Sequence, residues 1–204
     1  MLSVSEVFSF ILASGILAFT PGPDIIFVIV TSLSQDFKTA LKFILGLATG
    51  IMLHTFLVVV GISTLISQSQ YGLIILKYFA VIYLLYLAYL TFIHRHDSLN
   101  LQEKTNSHNY YLRGFIMNVS NPKVLLFFLA FFPQFANLNQ TGYQFRLLIL
   151  GFLFILVTLV VFSSVAWIAA KGGSKILAKP SYSLIINYLT IFVFITVSVL
   201  LLWF

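Results

Sequence analysis

Long apolar runs alternate with short polar segments along almost the whole chain. About 20 apolar residues are enough to cross a bilayer as a helix. Six runs have roughly this character: 7–31, 41–65, 72–93, 113–134, 147–170 and 184–204. The longest polar segment, residues 94–112, separates the first three runs from the last three. The pattern predicts an all-α polytopic membrane protein with six transmembrane helices in one domain, residues 1–204.

Two of these runs are interrupted by prolines and by a formal charge. Residues 20–24 of the first run read Thr-Pro-Gly-Pro-Asp, and residues 118–123 of the fourth read Asn-Val-Ser-Asn-Pro-Lys. Proline ends or kinks a helix. A bilayer tolerates broken helices and ionisable groups mainly where they line a cavity. We therefore predict that the first and fourth helices are broken, and that the breaks form a transport site.

The two interrupted runs also indicate an internal repeat. Four residue pairs are each separated by 99 positions: Gly15 and Gly114, Pro23 and Pro122, Asp24 and Lys123, and Gln35 and Gln134. With three spans in each half, the second half must insert upside down, which is a common plan in transporters. The sequence predicts two inverted three-helix repeats, about residues 1–93 and 113–204, joined by the polar loop 94–112.

Composition agrees with this class of protein. Of the 204 residues, 60% are hydrophobic and 8% are charged, whereas a soluble domain carries roughly 25% charged residues. The net charge of +6 comes from basic residues in short loops, and no nucleic-acid-binding motif accompanies them. The absence of cysteine excludes disulfides and thiolate metal sites. The bilayer, rather than a nucleic acid, is the expected partner.

The basic residues predict the orientation of the chain. Loops one, three and five hold eight of them, whereas loops two and four hold only Lys77 and Arg146. Because short cytoplasmic loops are enriched in lysine and arginine, we expect the odd loops in the cytoplasm and both termini outside.

Asp24 is the first candidate for chemistry. Of the five acidic residues, it alone falls well inside a predicted span, where an unpaired carboxylate costs about 2.5–3.5 kcal/mol. Gly22 as cap and Pro23 as first helical residue would place Asp24 in the first turn of a half-helix, where the helix dipole favours a negative charge. The alternative is a capping carboxylate that only stabilises the kink.

Lys123 occupies the matching place in the second half. A cation there opposes the helix dipole, so we expect an anionic partner, either Asp24 or the carboxylate of a bound substrate. The alternative is snorkelling, in which the long side chain carries the ammonium to water. Asn121 is placed to cap the following half-helix, and Asn118 lies one turn earlier.

These groups together suggest a site for a zwitterion such as an amino acid. In this hypothesis the half-helix N-termini and Lys123 bind a carboxylate, whereas Asp24 binds an ammonium group.

A histidine in the second run is the remaining titratable candidate. His54 could relay protons, or it could merely hydrogen-bond a neighbouring helix. Gly46 and Gly50 on the same run form a GxxxG pattern, which indicates close helix packing. Asp24 or His54 is thus the candidate proton-coupling group.

The sequence lacks the motifs of several other functions. There is no P-loop, zinc-binding histidine pair or nucleophile elbow, so we expect no enzymatic activity, cofactor or bound metal. Two alternatives to amino-acid transport stay open: a divalent-metal or small-ion transporter, and a membrane accessory subunit that transports nothing.

Three segments resemble the lysine exporter/homoserine-threonine exporter (LysE/RhtB) family. Residues 20–24 are similar to its helix-one signature, and residues 113–123 with the later Phe-Pro-Gln-Phe at 132–135 are the more specific match. Helix two, with Gly46, Gly50 and His54, is also similar.

The resemblance implies a bacterial inner-membrane exporter of amino acids or their derivatives, with six helices and driven by the proton motive force. Its partners would be an amino acid, protons and the bilayer, and a homo-oligomer is compatible with it. The positions that correspond to the family's motifs are Pro21, Gly22, Pro23, Asp24, Asn118, Asn121, Pro122 and Lys123.

Overall fold

The computed structural model describes residues 2–20, 22–68, 71–96, 109–136, 138, 141–173 and 180–203. Every regular element in these ranges is helical, which confirms the all-α prediction for them. The helices are α1 (Val4–Phe19), α2 (Pro23–Ser34), α3 (Phe37–Gln68), α4 (Gly72–Ile93), α5 (Tyr110–Val119), α6 (Pro122–Leu126), α7 (Phe132–Ala136), α8 (Tyr143–Ile168) and α9 (Pro180–Trp203). Two π-helical segments, Phe127–Phe131 and Ala169–Gly173, follow α6 and α8.

Helix length and hydropathy give the number of membrane spans. Two stretches are long and apolar enough to cross a membrane: Phe37–Gly61 in α3, and Tyr143–Lys171, which comprises α8 and the start of the π-helical segment after it. Their mean hydropathies are 2.3 and 2.8. The pairs α1–α2 and α5–α7 also qualify if each bent pair counts as one span, which gives up to four in the described residues. The apolar stretches in α4 and α9, Lys77–Ile93 and Asn187–Trp203, are shorter. The structure is thus that of a polytopic membrane protein, and the count of six spans stays a prediction.

The first expected break lies between α1 and α2, whose axes differ in direction by 61°. Helix α1 ends at Phe19, and the Thr20 hydroxyl donates back to the Ile16 carbonyl at 2.8 Å. Gly22 is the N-cap of α2 and Pro23 its first residue. Because proline has no N–H to donate to the preceding turn, a single continuous helix cannot form.

The second break repeats this arrangement between α5 and α6. Asn121 caps α6 by accepting a hydrogen bond from the Lys123 backbone N–H at 3.0 Å, and Pro122 is the first helical residue. The bend here is 49°. Both predicted breaks and the predicted Asn121 cap are confirmed.

Small residues let the central helices approach closely. Helix α3 packs against α5 and α8, α1 packs against α8, and α4 packs against α9. A Cβ at Gly46 would collide with the backbone carbonyl of Tyr111, and one at Gly114 with that of Phe43. Only glycine at these positions permits the backbones of α3 and α5 to lie in contact, as the GxxxG pattern predicts.

The buried apolar side chains form two clusters. The first is rich in phenylalanine, with Phe10, Phe127, Phe128, Phe132 and Phe154 among its members. The second joins α2, α3 and the end of α8, and includes Phe27, Phe43 and Phe162. Polar residues from both helix breaks lie where these clusters meet.

Candidate functional site

A small cavity lies beside the two helix breaks. Its polar lining residues are Asp24, Asn118, Lys123 and Thr158. Its apolar wall comes from both core clusters and consists of Leu17, Ala18, Ile51, Val124, Phe154 and Phe162. The space open to the centre of a water-sized sphere is about 20 Å³, which is room for about one water molecule.

Lys123 is anchored at the end of the opposite half-helix. Its side chain is buried, and Nζ donates to the carbonyl oxygens of Thr20 at 3.0 Å and of Leu17 at 3.4 Å. The last carbonyls of a helix lack partners and form the negative end of its dipole. The end of α1 therefore supplies the negative partner that the sequence led us to seek in a carboxylate, and the ammonium does not snorkel to the surface.

Gly22 makes room for this contact. A Cβ at Gly22 would lie 3.1 Å from Lys123 Nζ and 3.6 Å from Cε. A side chain at this position would press on the ammonium where it approaches α1. Gly22 thus adjoins the site by leaving space for Lys123.

Asp24 is buried in the first turn of α2, as predicted, with 3% of its surface exposed. The side-chain amides of Asn118 and Asn121 lie within interaction range of its carboxyl group, and so does the charge of Lys123. No direct Asp24–Lys123 ion pair forms among the described residues, where the ion pair present joins Arg146 and Glu6 at 3.9 Å. The two opposite charges share one cavity without neutralising each other by contact.

Three polar atoms in this group have no hydrogen-bond partner within the described residues. They are Asp24 Oδ1, Asn118 Oδ1 and Asn121 Nδ2, and all are buried. Buried polar atoms are paired in the great majority of cases, and an unpaired one costs about 1–3 kcal/mol. The two acceptors belong to residues that line the cavity and are available to a polar ligand, whereas Asn121 lies beside Asp24 and is not a lining residue.

His54 lies behind Asn118 rather than among the residues that line the cavity. Its Nε2–H donates to the Asn118 carbonyl oxygen at 3.3 Å, and its ring stacks on Phe128 with centroids 5.5 Å apart. This is the helix-to-helix hydrogen bond that the sequence left open as an alternative. A role in proton coupling stays a prediction.

Two prolines of the predicted set, Pro23 and Pro122, do not line the cavity. Pro23 and Pro122 are exposed and occupy the first positions of α2 and α6. In the structure, these two prolines begin the half-helices that follow the breaks. Pro21 lies outside the described residues.

Sequence reasoning missed two parts of the site. Thr158 is one hydroxyl residue within a long apolar run, and nothing in the sequence distinguishes it from neighbouring serines and threonines. The Thr20 and Leu17 carbonyls that bind Lys123 could not be found either, since every residue carries a backbone carbonyl.

Comparison with known proteins assigns the chain to a family. The family described as LysE type translocator matches residues 15–203. The homoserine/homoserine lactone efflux proteins of Salmonella typhimurium and Salmonella typhi are each 32% identical to the chain over 166 residues, which cover 80% of both chains.

A third relative is the uncharacterized membrane protein YrhP of Bacillus subtilis. It is 29% identical over 165 residues, which cover 76% of this chain and 79% of YrhP. The comparison with solved structures gave no match. The chain belongs to the LysE/RhtB family of LysE type translocators, and it is therefore a membrane transporter and not an enzyme.

Proposed function

We propose that the protein exports amino acids or close amino-acid derivatives from the cytoplasm. The Salmonella relatives are named as efflux proteins for homoserine and homoserine lactone, and homoserine carries both an ammonium and a carboxylate group. The observation that carries the proposal is the set of unpaired buried atoms beside Lys123. The unpaired oxygens of Asp24 and Asn118, together with the Lys123 ammonium, offer partners of both signs around one cavity.

Each end of a zwitterion finds complementary groups in this site. Asp24 Oδ1 and Asn118 Oδ1 are acceptors for the substrate ammonium, and the Lys123 ammonium is the donor for its carboxylate. An ammonium group has three N–H donors, and two of those of Lys123 donate to the Thr20 and Leu17 carbonyl oxygens. The third is left for the substrate carboxylate, where a charge-assisted bond is stronger than a neutral one.

In the described conformation the site is too small for an amino acid. A cavity with room for about one water molecule cannot hold an amino acid, which is several times larger. Substrate entry and release therefore require the half-helices to move, and the breaks at Gly22 and Asn121 are the natural hinges, since no helical hydrogen bonds continue across them.

Contacts between helix ends support six spans that alternate in direction. Glu6 at the start of α1 pairs with Arg146 at the start of α8, and Ser32 at the end of α2 donates to the Ala166 carbonyl near the end of α8. The broken span α1–α2 thus runs parallel to α8, as first and fifth spans should. Asn187 in α9 donates to the Arg95 carbonyl just after α4, as expected if spans three and six meet on one side.

The proposal has three finer features: the internal repeat, the orientation in the membrane and the driving force. The order of a bent pair, a long helix and a further helix occurs twice, which supports two inverted repeats. The lysine and arginine count favours cytoplasmic odd loops and external termini in the bacterial inner membrane. We propose the proton motive force as the driving force, with Asp24 or His54 as the coupling group.

Counterflow tests this proposal. The purified full-length chain is reconstituted into liposomes loaded with each of the twenty amino acids or with homoserine, and uptake of the same labelled compound is measured. We expect protein-dependent exchange of a subset, faster under an imposed proton gradient, and none in protein-free liposomes. Exchange of divalent cations without any amino acid would instead indicate an ion carrier, and no exchange at all would indicate an accessory subunit. Either result would overturn the proposal.

A further inference from the structure

Thr158 is the one polar residue of the cavity that the proposed recognition of ammonium and carboxylate does not use. It lies in α8, with 3% of its surface exposed, and lines the same cavity as Asp24 and Lys123. Its hydroxyl oxygen has no hydrogen-bond partner within the described residues.

This unpaired hydroxyl differs from most helical serines and threonines among the described residues. A serine or threonine in an apolar helix usually donates to the carbonyl four residues earlier. Such bonds, 2.7–3.0 Å long, are made by Thr20, Thr49, Thr55, Thr91, Ser164 and Ser198. Ser14 and Thr31 also lack partners, but neither lines the cavity. Thr158 therefore combines an available hydroxyl with access to the site.

The surroundings of Thr158 define what it can recognise. Phe154 and Phe162 lie one helical turn away on either side and line the cavity with it. The remaining polar lining groups, Asp24, Asn118 and Lys123, are assigned to the ammonium and the carboxylate. A hydroxyl within an apolar wall is thus left to face the substrate's side chain.

We propose that Thr158 is a specificity-determining residue that hydrogen-bonds a hydroxyl or similar polar group on a short substrate side chain. The inference rests on the proposed function. A site with a buried hydroxyl penalises a substrate that leaves it unpaired, because the desolvated group regains no hydrogen bond. Short hydroxylated amino acids are therefore preferred over apolar analogues of similar size.

The variant Thr158→Val tests this, since valine keeps the shape and removes the hydroxyl. Counterflow is compared for homoserine and for 2-aminobutyrate, which is homoserine without its hydroxyl. The wild-type protein should prefer homoserine, and Thr158→Val should lower that preference by about threefold to tenfold, the loss expected for one hydrogen bond. Thr158→Ser should keep the preference. Thr31→Val, which removes an unpaired buried hydroxyl outside the cavity, is the matched control and should also keep it.

The outcomes separate this inference from the function on which it rests. An unchanged preference in an active Thr158→Val variant would overturn the role of Thr158 alone, and so would a wild-type protein that exchanges amino acids without favouring hydroxylated ones. Exchange of no amino acid by the wild-type protein would overturn both proposals. If Thr158→Val transports neither compound, the Thr158→Ser variant is used instead. A preference for homoserine that Thr158→Ser keeps supports the inference, and a preference that it loses overturns the inference.

Discussion

Lys123 belongs to one helix break and is held by the other. Its backbone begins α6, while its ammonium binds the Thr20 and Leu17 carbonyls at the end of α1. An isolated buried charge costs several kcal/mol, whereas each hydrogen bond to a charged group returns about 1.5–3 kcal/mol. Two such bonds make the buried cation tolerable and leave one donor for a ligand. A single side chain thus connects both breaks to the cavity.

Gly50 offers a test of how closely Asn118 must be positioned. A Cβ at Gly50 would lie 2.6 Å from Asn118 Oδ1 and 2.8 Å from its Cβ, so Gly50→Ala must push α5, and the Asn118 side chain with it, away from α3. We expect the counterflow rate to fall about tenfold, the loss expected for one buried polar contact. Overpacking costs about 1–3 kcal/mol, and alanine regains about 1 kcal/mol of helix propensity over glycine, so the variant should still fold.

Gly61→Ala is the matched control on the same helix. A Cβ at Gly61 meets no atom within 4 Å, and the gain in helix propensity is the same. Its counterflow rate should equal that of the wild-type protein. Equal rates for Gly50→Ala and Gly61→Ala would show that the position of Asn118 does not matter for transport.

At the residue scale, the sequence could predict the site residues whose type is rare inside apolar runs. Asp24 and Lys123 stand out because charges are scarce inside apolar runs, and the structure brings both to one cavity. Asn118 was predicted from its place one turn before the Asn121 cap. Thr158 was not, because hydroxyl residues are common in membrane helices and only the packing around α8 distinguishes it.

At the scale of helices, the breaks were predictable and the ends less so. Proline removes a backbone donor, so α2 and α6 begin where the sequence predicts. Helix α3 begins a turn before the predicted apolar run, since the Asp36 carboxylate accepts a hydrogen bond from the Thr39 N–H at 2.6 Å and caps it. This bond holds the pKa of Asp36 below its usual range. The π-helical segment Phe127–Phe131 has no signal in the sequence that we can identify.

Cysteine labelling tests the alternation of the helices. The chain contains no cysteine, so each single-cysteine variant has one thiol to label and no native cysteine adds to the signal. We expect Ser5→Cys and Thr141→Cys to react with a membrane-impermeant maleimide in intact cells. Ser5 lies in the first turn of α1, and Thr141 comes just before α8. Lys38→Cys and Asn109→Cys, near the starts of α3 and α5, should react only after permeabilisation. All four positions are exposed.

The labelling pattern also distinguishes a wrong orientation of the chain from a wrong alternation of its helices. Reversed labelling of both pairs would show that the lysine and arginine count gave the wrong orientation while the alternation holds. Labelling of Ser5→Cys and Lys38→Cys from the same side would contradict the crossing of the membrane by α1–α2.

At the scale of the whole molecule, the cavity joins the two halves of the chain. Asp24 comes from the first broken span and Lys123 from the second, and α3 and α8 complete the wall through Ile51 and Thr158. In the proposed mechanism, movement of either half-helix against these long helices opens the site. A carrier with one central site and two moving broken helices fits alternating access.

The proposed mechanism requires that Asp24 recognises an ammonium group and that Lys123 recognises a carboxylate. The most direct measurement is competition of counterflow by a transported amino acid, its analogue without the amino group and its analogue without the carboxylate. The wild-type protein should prefer the zwitterion by about tenfold or more over each analogue. Asp24→Asn should lose mainly the preference over the first analogue and Lys123→Gln over the second, whereas Asp36→Asn, at an exposed position, should change neither. Undiminished exchange and unchanged preferences in both cavity variants would contradict the zwitterion site.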